Sequence, residues 1–92
     1  MNNTAYVLII TESSPEDILK KVRKIENVTE AFVVSDPYDI IAKVEADSEG
    51  IKKTAKYIRS LDNILSTLTM PLNEGFVRNQ KTSEITEKVK LV

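Results

Sequence analysis

The stretch AFVVSDPYDIIAKVEAD, residues 31–47, predicts two strands joined by a tight connection. The aromatic and β-branched run of residues 32–34 suits a strand. The polar segment 35–39 forms the connection, and Pro37 excludes a central strand there because it lacks a backbone donor. Residues 40–45 resume a strand, with Ile40, Ala42 and Val44 on one face and the intervening residues on the other.

The segments around this hairpin predict a strand and a helix on each side of it. Residues 4–11 are apolar at both odd and even positions, which is typical of a strand covered on both faces. Ser14 and Pro15 suit the start of a helix whose apolar stripe runs from Ile18 to Ile25. Asp47 or Ser48 suits the cap of a second helix, to about residue 61, and residues 64–72 suit a fourth strand.

The predicted element order is therefore β-α-β-β-α-β, which is the ferredoxin-like pattern of the α+β class. Right-handed crossovers place both helices on one face of a four-stranded antiparallel sheet. We assign residues 1–72 to this domain and residues 73–92 to a C-terminal tail. In the tail, Ile85, Val89 and Val92 suit a short amphipathic helix, Val89 and Leu91 suit a strand, and a frayed end is the alternative to both.

Composition excludes several classes of function. A chain of 92 residues is one domain, and a formal charge of −1 disfavours direct binding to nucleic acid. The chain has no cysteine and no histidine, which excludes disulfides, thiolate catalysis, imidazole bases and ordinary zinc sites. We expect no metal and no cofactor. The N-terminus lacks the pattern of a signal peptide or a membrane span, so we expect a cytoplasmic protein without a membrane partner.

The two-sided sheet predicts self-association. The helices cover one face, while the other face still carries apolar residues from the first, third and fourth strands. Because monomers rarely expose large apolar patches, a second copy packed sheet against sheet is expected. The alternative is a tail that folds over the same face.

Two groups of side chains are candidates for chemistry. Four polar or aromatic residues, Ser35, Asp36, Tyr38 and Asp39, occupy the hairpin connection. Asp and Ser are also ordinary turn residues, and no nucleophile has a partner base, so a structural role is the alternative. Thr67 and Thr69 place two hydroxyls on one face of the fourth strand, where threonine is also simply a good strand former.

The run VTEAFVVSDPYDIIAKVEAD resembles the regulatory RAM (regulation of amino-acid metabolism) domain of the Lrp/AsnC transcription regulators. In that family an apolar strand meets a turn of the form Thr/Ser-Gly-x-Tyr-Asp, and then an apolar strand with an acidic end. Ser35, Tyr38, Asp39 and Val44 match that pattern, and Thr67 and Thr69 match the Thr-x-Thr motif of the family's fourth strand. The resemblance covers about residues 4–72, without the family's helix-turn-helix domain, as in the stand-alone RAM proteins.

The resemblance implies a homodimer with facing sheets, further assembled into rings of dimers. It implies an amino-acid ligand between dimers, contacting Ser35, Asp36, Tyr38, Asp39, Thr67 and Thr69. It also implies effector sensing, or modulation of full-length Lrp-type regulators by mixed assembly. Asp36 stands where the family usually has glycine, and its side chain either alters ligand specificity or fills the site.

We therefore expect a regulatory domain with no enzymatic activity. Two other functions fit the same architecture, namely an enzyme of the dimeric α+β-barrel type and a purely structural interaction module. A buried polar cavity lined by acids with perturbed pKa values would favour the enzyme.

Overall fold

The computed structural model describes residues 2–76 and 78, and within them it shows the predicted α+β order. The strands form one four-stranded antiparallel sheet, in the spatial order β2-β3-β1-β4. The elements are β1 (Asn3–Thr11), α1 (Pro15–Val22), β2 (Val28–Val33), β3 (Ile40–Ala46), α2 (Ser48–Arg59) and β4 (Ile64–Pro71). The ferredoxin-like topology predicted from the sequence is confirmed.

Strand register decides which residues face the helices. Val7 pairs with Ala42 on β3 and with Thr69 on β4, so these three side chains share one face of the sheet. Leu8 pairs with Ile41 and Leu68, which therefore share the opposite face. Both helices lie on the Val7 face, with α1 packed mainly on β2 and α2 on β4, β3 and β1.

The hydrophobic core lies between the helices and the sheet. Alternate residues of β1 and β3 are fully buried, whereas their neighbours along each strand are only half-buried. The helices contribute the apolar stripes that the sequence predicted. The buried apolar residues are Ala5, Val7, Ile9, Ile18, Val22, Ile40, Ala42, Val44, Ala46, Ile51, Ala55 and Ile58.

The helix termini differ from the sequence expectations in detail. Ser14 precedes α1 as predicted, but its backbone is left-handed, with φ of 50°, and its side chain makes no capping hydrogen bond. The α-helix ends at Val22, and the backbone N–H of Ile25 donates to Val22 in a tighter turn. Asp47 caps α2 as predicted, because its carboxylate accepts from the N–H of Gly50 at 2.7 Å.

Gly50 permits the close contact between α2 and the end of β3. A Cβ atom at this position would lie 2.7 Å from the Cβ of Ala46 and 3.0 Å from a carboxylate oxygen of Asp47. Ala46 Cβ is fixed to the backbone, so the clash can be relieved only by moving the helix or the strand.

The Gly50→Ala substitution should therefore destabilise the domain, even though alanine favours helices. Overpacking costs about 1–3 kcal/mol, against a gain in helix propensity of about 1 kcal/mol. Urea denaturation monitored by circular dichroism would measure the change. Gly75→Ala is the control, since no atom of the described residues lies within 4 Å of a Cβ there. An equal effect of the two substitutions would contradict the packing role of Gly50.

Two expectations concern the chain ends and the membrane. In the predicted tail of residues 73–92, the residues proposed for a helix or a strand, Ile85, Val89, Leu91 and Val92, lie outside the described residues. Among residues 2–76 and 78, no helix is long and apolar enough to cross a membrane.

Candidate functional site

The hairpin turn between β2 and β3 is fixed to the end of β1 by Asp39. One carboxylate oxygen of Asp39, Oδ2, accepts from the backbone N–H of Thr11 at 2.8 Å and from the Thr11 hydroxyl at 3.4 Å. The backbone N–H of Asp39 donates to the carbonyl of Ile9 at 2.9 Å, and its carbonyl accepts from Val34 at 2.8 Å. Asp39 therefore connects three strands, which supports the structural alternative for this residue.

The rest of the turn is more accessible. Ser35 and Asp36 are exposed, whereas Tyr38 and Asp39 are half-buried. The peptide bond between Asp36 and Pro37 is cis. Asp36 makes no side-chain hydrogen bond to any residue in the described part of the chain, so its carboxylate is presented to solvent.

The Asp39→Ala substitution should destabilise the fold by about 1–3 kcal/mol, because the Thr11 N–H loses its acceptor. Thr11 is only 7% exposed, so water replaces that acceptor poorly. Chemical denaturation would measure the loss. Asp36→Ala removes a carboxylate of the same turn that makes no hydrogen bond within the described part of the chain. This variant should change the free energy of unfolding by less than about 0.5 kcal/mol. Equal losses would show that the Asp39 contact is unimportant.

Thr67 and Thr69 lie on β4, on the helix side of the sheet. Thr67 pairs with Ile9 and Thr69 pairs with Val7, and both threonines are half-buried. Thr69 lines an open groove between β4 and α2, and no residue of the hairpin turn contributes to that groove.

The structure does not bring the turn and the two threonines together within one chain. The turn joins β2 to β3, whereas β4 lies on the far side of β1. Neighbouring strands are about 4.8 Å apart, so β3 and β4 are separated by about 10 Å. Because β1 lies between them, the two groups occupy separate positions on the sheet.

The sheet face opposite the helices carries an apolar row that crosses all four strands. Phe32, Ile41, Leu8 and Leu68 are successive partners in this row. Phe32 is 55% exposed and Leu68 is 45% exposed, and Met70 on the same face is 44% exposed. The two-sided β1 predicted from the sequence is therefore confirmed, and no helix among the described residues covers the second side.

A charged cluster lies on the same sheet face, on β2 and β3, in the row next to this apolar row. Lys43 Nζ lies 3.4 Å from a carboxylate oxygen of Glu45 and 4.0 Å from one of Glu30. The hydrogen bond to Glu45 and the charge of Glu30 raise the pKa of Lys43, so the ammonium stays charged. A partner chain that covered these three charges would have to remove them from water, which is costly. They therefore limit the apolar contact to the neighbouring row.

The groove between α2 and β4 is a feature that sequence reasoning missed. It has a volume of about 740 Å³. Its floor includes Ile51 and Ala55, and three cations, Lys52, Lys56 and Arg59, stand along its helical wall. From the sequence, the spacing of these cations indicates only a solvent-facing side of the helix. The groove depends on the position of β4 beside the helix, and nothing in the local sequence indicates that position.

Clusters of acidic side chains and unpaired buried polar groups are two features that can indicate a metal site or a catalytic site. Within residues 2–76 and 78, no three acidic side chains cluster so as to hold a metal ion. Every buried side-chain nitrogen or oxygen in that part of the chain has a hydrogen-bond partner. The described residues therefore contain no unsatisfied buried polar group that would indicate a missing ligand.

Comparison with known proteins identifies the family. The family model described as "Lrp/AsnC ligand binding domain" matches residues 4–82, which extends past the segment that the resemblance covered. A comparison with curated proteins gave no match.

Solved structures of the same fold agree with this match. TTHA0845 from Thermus thermophilus is 26% identical, with a TM-score of 0.77 over 83% of this chain and 99% of that one. The hypothetical protein PHS023 from Pyrococcus horikoshii is 31% identical, with a TM-score of 0.72 over 82% and 93%. AsnC from E. coli is 25% identical, with a TM-score of 0.76, and the match covers 84% of this chain but 54% of AsnC. The chain belongs to the Lrp/AsnC ligand-binding domain family.

Proposed function

We propose that this domain is a regulatory effector sensor that binds an amino acid between copies of the chain. The family match over residues 4–82 is the observation that carries the proposal. The separation of about 10 Å between β3 and β4, with β1 between them, favours a site that is assembled from two chains. The proposed role is regulation and not catalysis.

The proposed assembly begins with a dimer through the uncovered sheet face. The row of Phe32, Ile41, Leu8 and Leu68 supplies the apolar contact, and the cluster around Lys43 lies at its border. Contiguous apolar surface of this kind is costly to leave in water. Further association of dimers would bring the turn of one chain to β4 of another.

The proposed ligand contacts follow from the chemistry of the two halves. The hydroxyls of Thr67 and Thr69, with backbone amides of the turn, suit a carboxylate. Asp36 suits the ammonium group because its carboxylate is exposed, whereas Oδ2 of Asp39 already accepts two hydrogen bonds from Thr11. Ser35 and Tyr38 complete the turn side of the site.

A longer regulator is the proposed partner when the domain acts in mixed assemblies. The match to AsnC covers about half of that protein, so this chain corresponds to one part of it. Shared sheet faces would let the two chains associate. The domain would then change the effector response of the longer protein without contacting DNA itself.

Calorimetry against the twenty amino acids tests the ligand site. If the proposal holds, the native chain binds one or a few of them, and Thr67→Ala weakens binding by about tenfold, as expected for a lost hydrogen bond to a charged group. Thr29→Ala, at an exposed threonine of β2, is the control and should leave binding unchanged.

The Asp36→Gly variant separates the two roles left open for Asp36. If Asp36 binds the ammonium group, this variant loses affinity. If Asp36 fills the space, the native chain gives no heat and the variant gains binding. Absence of binding in both proteins would contradict an amino-acid sensor and favour an interaction module.

A further inference from the structure

We propose that the groove between α2 and β4 binds an extended acidic segment of another protein, which adds to β4 as a fifth strand. This interaction uses the helix side and the free edge of the sheet, and it shares Thr67 and Thr69 with the proposed amino-acid site. The groove itself lies on the helix side, opposite the sheet face proposed for the dimer.

The edge of β4 has the hydrogen-bonding groups that strand addition requires. β4 is an edge strand of the sheet. β1 pairs with one of its sides, and no strand among the described residues pairs with the other. The backbone N–H of Leu72 donates to the carbonyl of Thr4 on β1 at 2.9 Å. This bond fixes which residues of β4 form hydrogen bonds with β1 and which direct their backbone groups away from it. Met70 and Leu68 then bond inward to β1, while the backbone groups of Thr67 and Thr69 point outward. An extended peptide can pair with these outward groups.

The charge of the groove selects an acidic occupant. Lys52, Lys56 and Arg59 follow one another at spacings of four and three residues, which aligns them on one flank of α2. None of the three makes a salt bridge within the part of the chain that the structure describes. No acidic residue among residues 2–76 and 78 lines the groove. A row of cations that form no ion pair with the described residues favours carboxylates at the same spacing.

The pattern of the partner follows from the alternation of side chains along a strand. On an added strand, every second side chain would face α2 and its cations, where glutamate or aspartate fits. The intervening side chains would lie beside Leu68 and Met70, at the margin of the face proposed for the dimer. These two residues are 45% and 44% exposed, and an apolar residue fits there. The chemistry of the partner is therefore an extended segment in which acidic and apolar residues alternate.

The C-terminal segment of this chain is the rival occupant, but its charge opposes docking. Residues 78–92 carry four cations and two acidic side chains, namely Arg78, Lys81, Lys88 and Lys90 against Glu84 and Glu87. A net positive segment is repelled by the row of cations on α2.

Fluorescence anisotropy with a labelled octapeptide of alternating glutamate and valine tests the proposal on the full chain. We expect saturable binding that weakens at high salt. A peptide with glutamine in place of glutamate should bind about tenfold more weakly or worse, and a lysine–valine peptide should not bind. Equal binding of the glutamate and glutamine peptides would overturn the proposal.

Backbone methylation tests strand addition separately from charge. Only one set of alternate amides on an added strand faces β4. Of two octapeptides, methylated either on the valine amides or on the glutamate amides, one should lose binding and the other should retain it. If both bind like the parent peptide, the segment is held by charge alone and strand addition is excluded.

Charge reversal locates the site. Lys52→Glu with Lys56→Glu should weaken peptide binding by about tenfold or more, since two attractions become repulsions. Lys20→Glu with Lys53→Glu changes the net charge equally at exposed positions that do not line the groove, and it should have little effect. Equal losses in the two variants, or displacement of the probe by a peptide of residues 79–92, would overturn the proposal.

Discussion

Replacing Val7 by aspartate is expected to unfold the domain. Val7 is fully buried, and it packs in the row that contains Ala42 and Thr69 beneath the helices. No cation lies among the buried residues of this core to pair with a new carboxylate. An uncompensated buried charge costs about 3–5 kcal/mol. A domain of this size has little more stability than that to lose.

Circular dichroism and thermal denaturation would measure the effect of Val7→Asp. Leu8→Asp is the matched control, because it places the same charge one residue further along β1, on the opposite face. The control should keep its secondary structure and a cooperative transition. Unfolding of both variants, or of neither, would contradict the assignment of the two faces of β1.

Leu8→Asp is itself expected to abolish the proposed dimer. Leu8 lies in the middle of the apolar row between Ile41 and Leu68. A two-fold interface would bury two copies of the new charge, so we expect dimerisation to weaken by at least about a hundredfold. Light scattering coupled to size-exclusion chromatography would report the change from dimer to monomer.

Tyr57→Asp is the control for this experiment. Tyr57 is a large exposed side chain, 55% accessible, on α2 and therefore on the other side of the sheet. Its substitution should leave the dimer intact. A native chain that is monomeric at micromolar concentration would remove the argument from the uncovered sheet face, as would a Leu8→Asp variant that still dimerises.

The fold was predictable because local signals agreed along the whole described chain. Alternation in β3 separated Ile40, Ala42 and Val44 from Lys43 and Glu45, and the structure buries the first set. The capping residue Asp47 and the apolar stripe of α2 lie where the sequence placed them. The end of α1 was less predictable, since the spacing of Ile25 fits both a further helical turn and the tighter turn that is found.

The candidate site was only partly predictable. The turn residues and the threonines were identified as two groups, and both are where their elements should place them. That Asp39 uses its carboxylate on Thr11 could not be read from the sequence, because Thr11 is distant along the chain. The groove beside α2 could not be read from the sequence either, because its two walls come from α2 and β4 and form only when the chain folds.

The sequence by itself determined the element order, the fold class and the presence of apolar residues on both sides of β1. Periodicity and capping are local properties, so a single chain carries them without reference to its partners in space. Only the tertiary structure decided that Val7 faces the helices while Leu8 faces outward, and that the turn and Thr67 lie at separate positions on the sheet. Those outcomes depend on strand order and register, which are set by pairing between distant segments and by the side on which the crossovers place both helices.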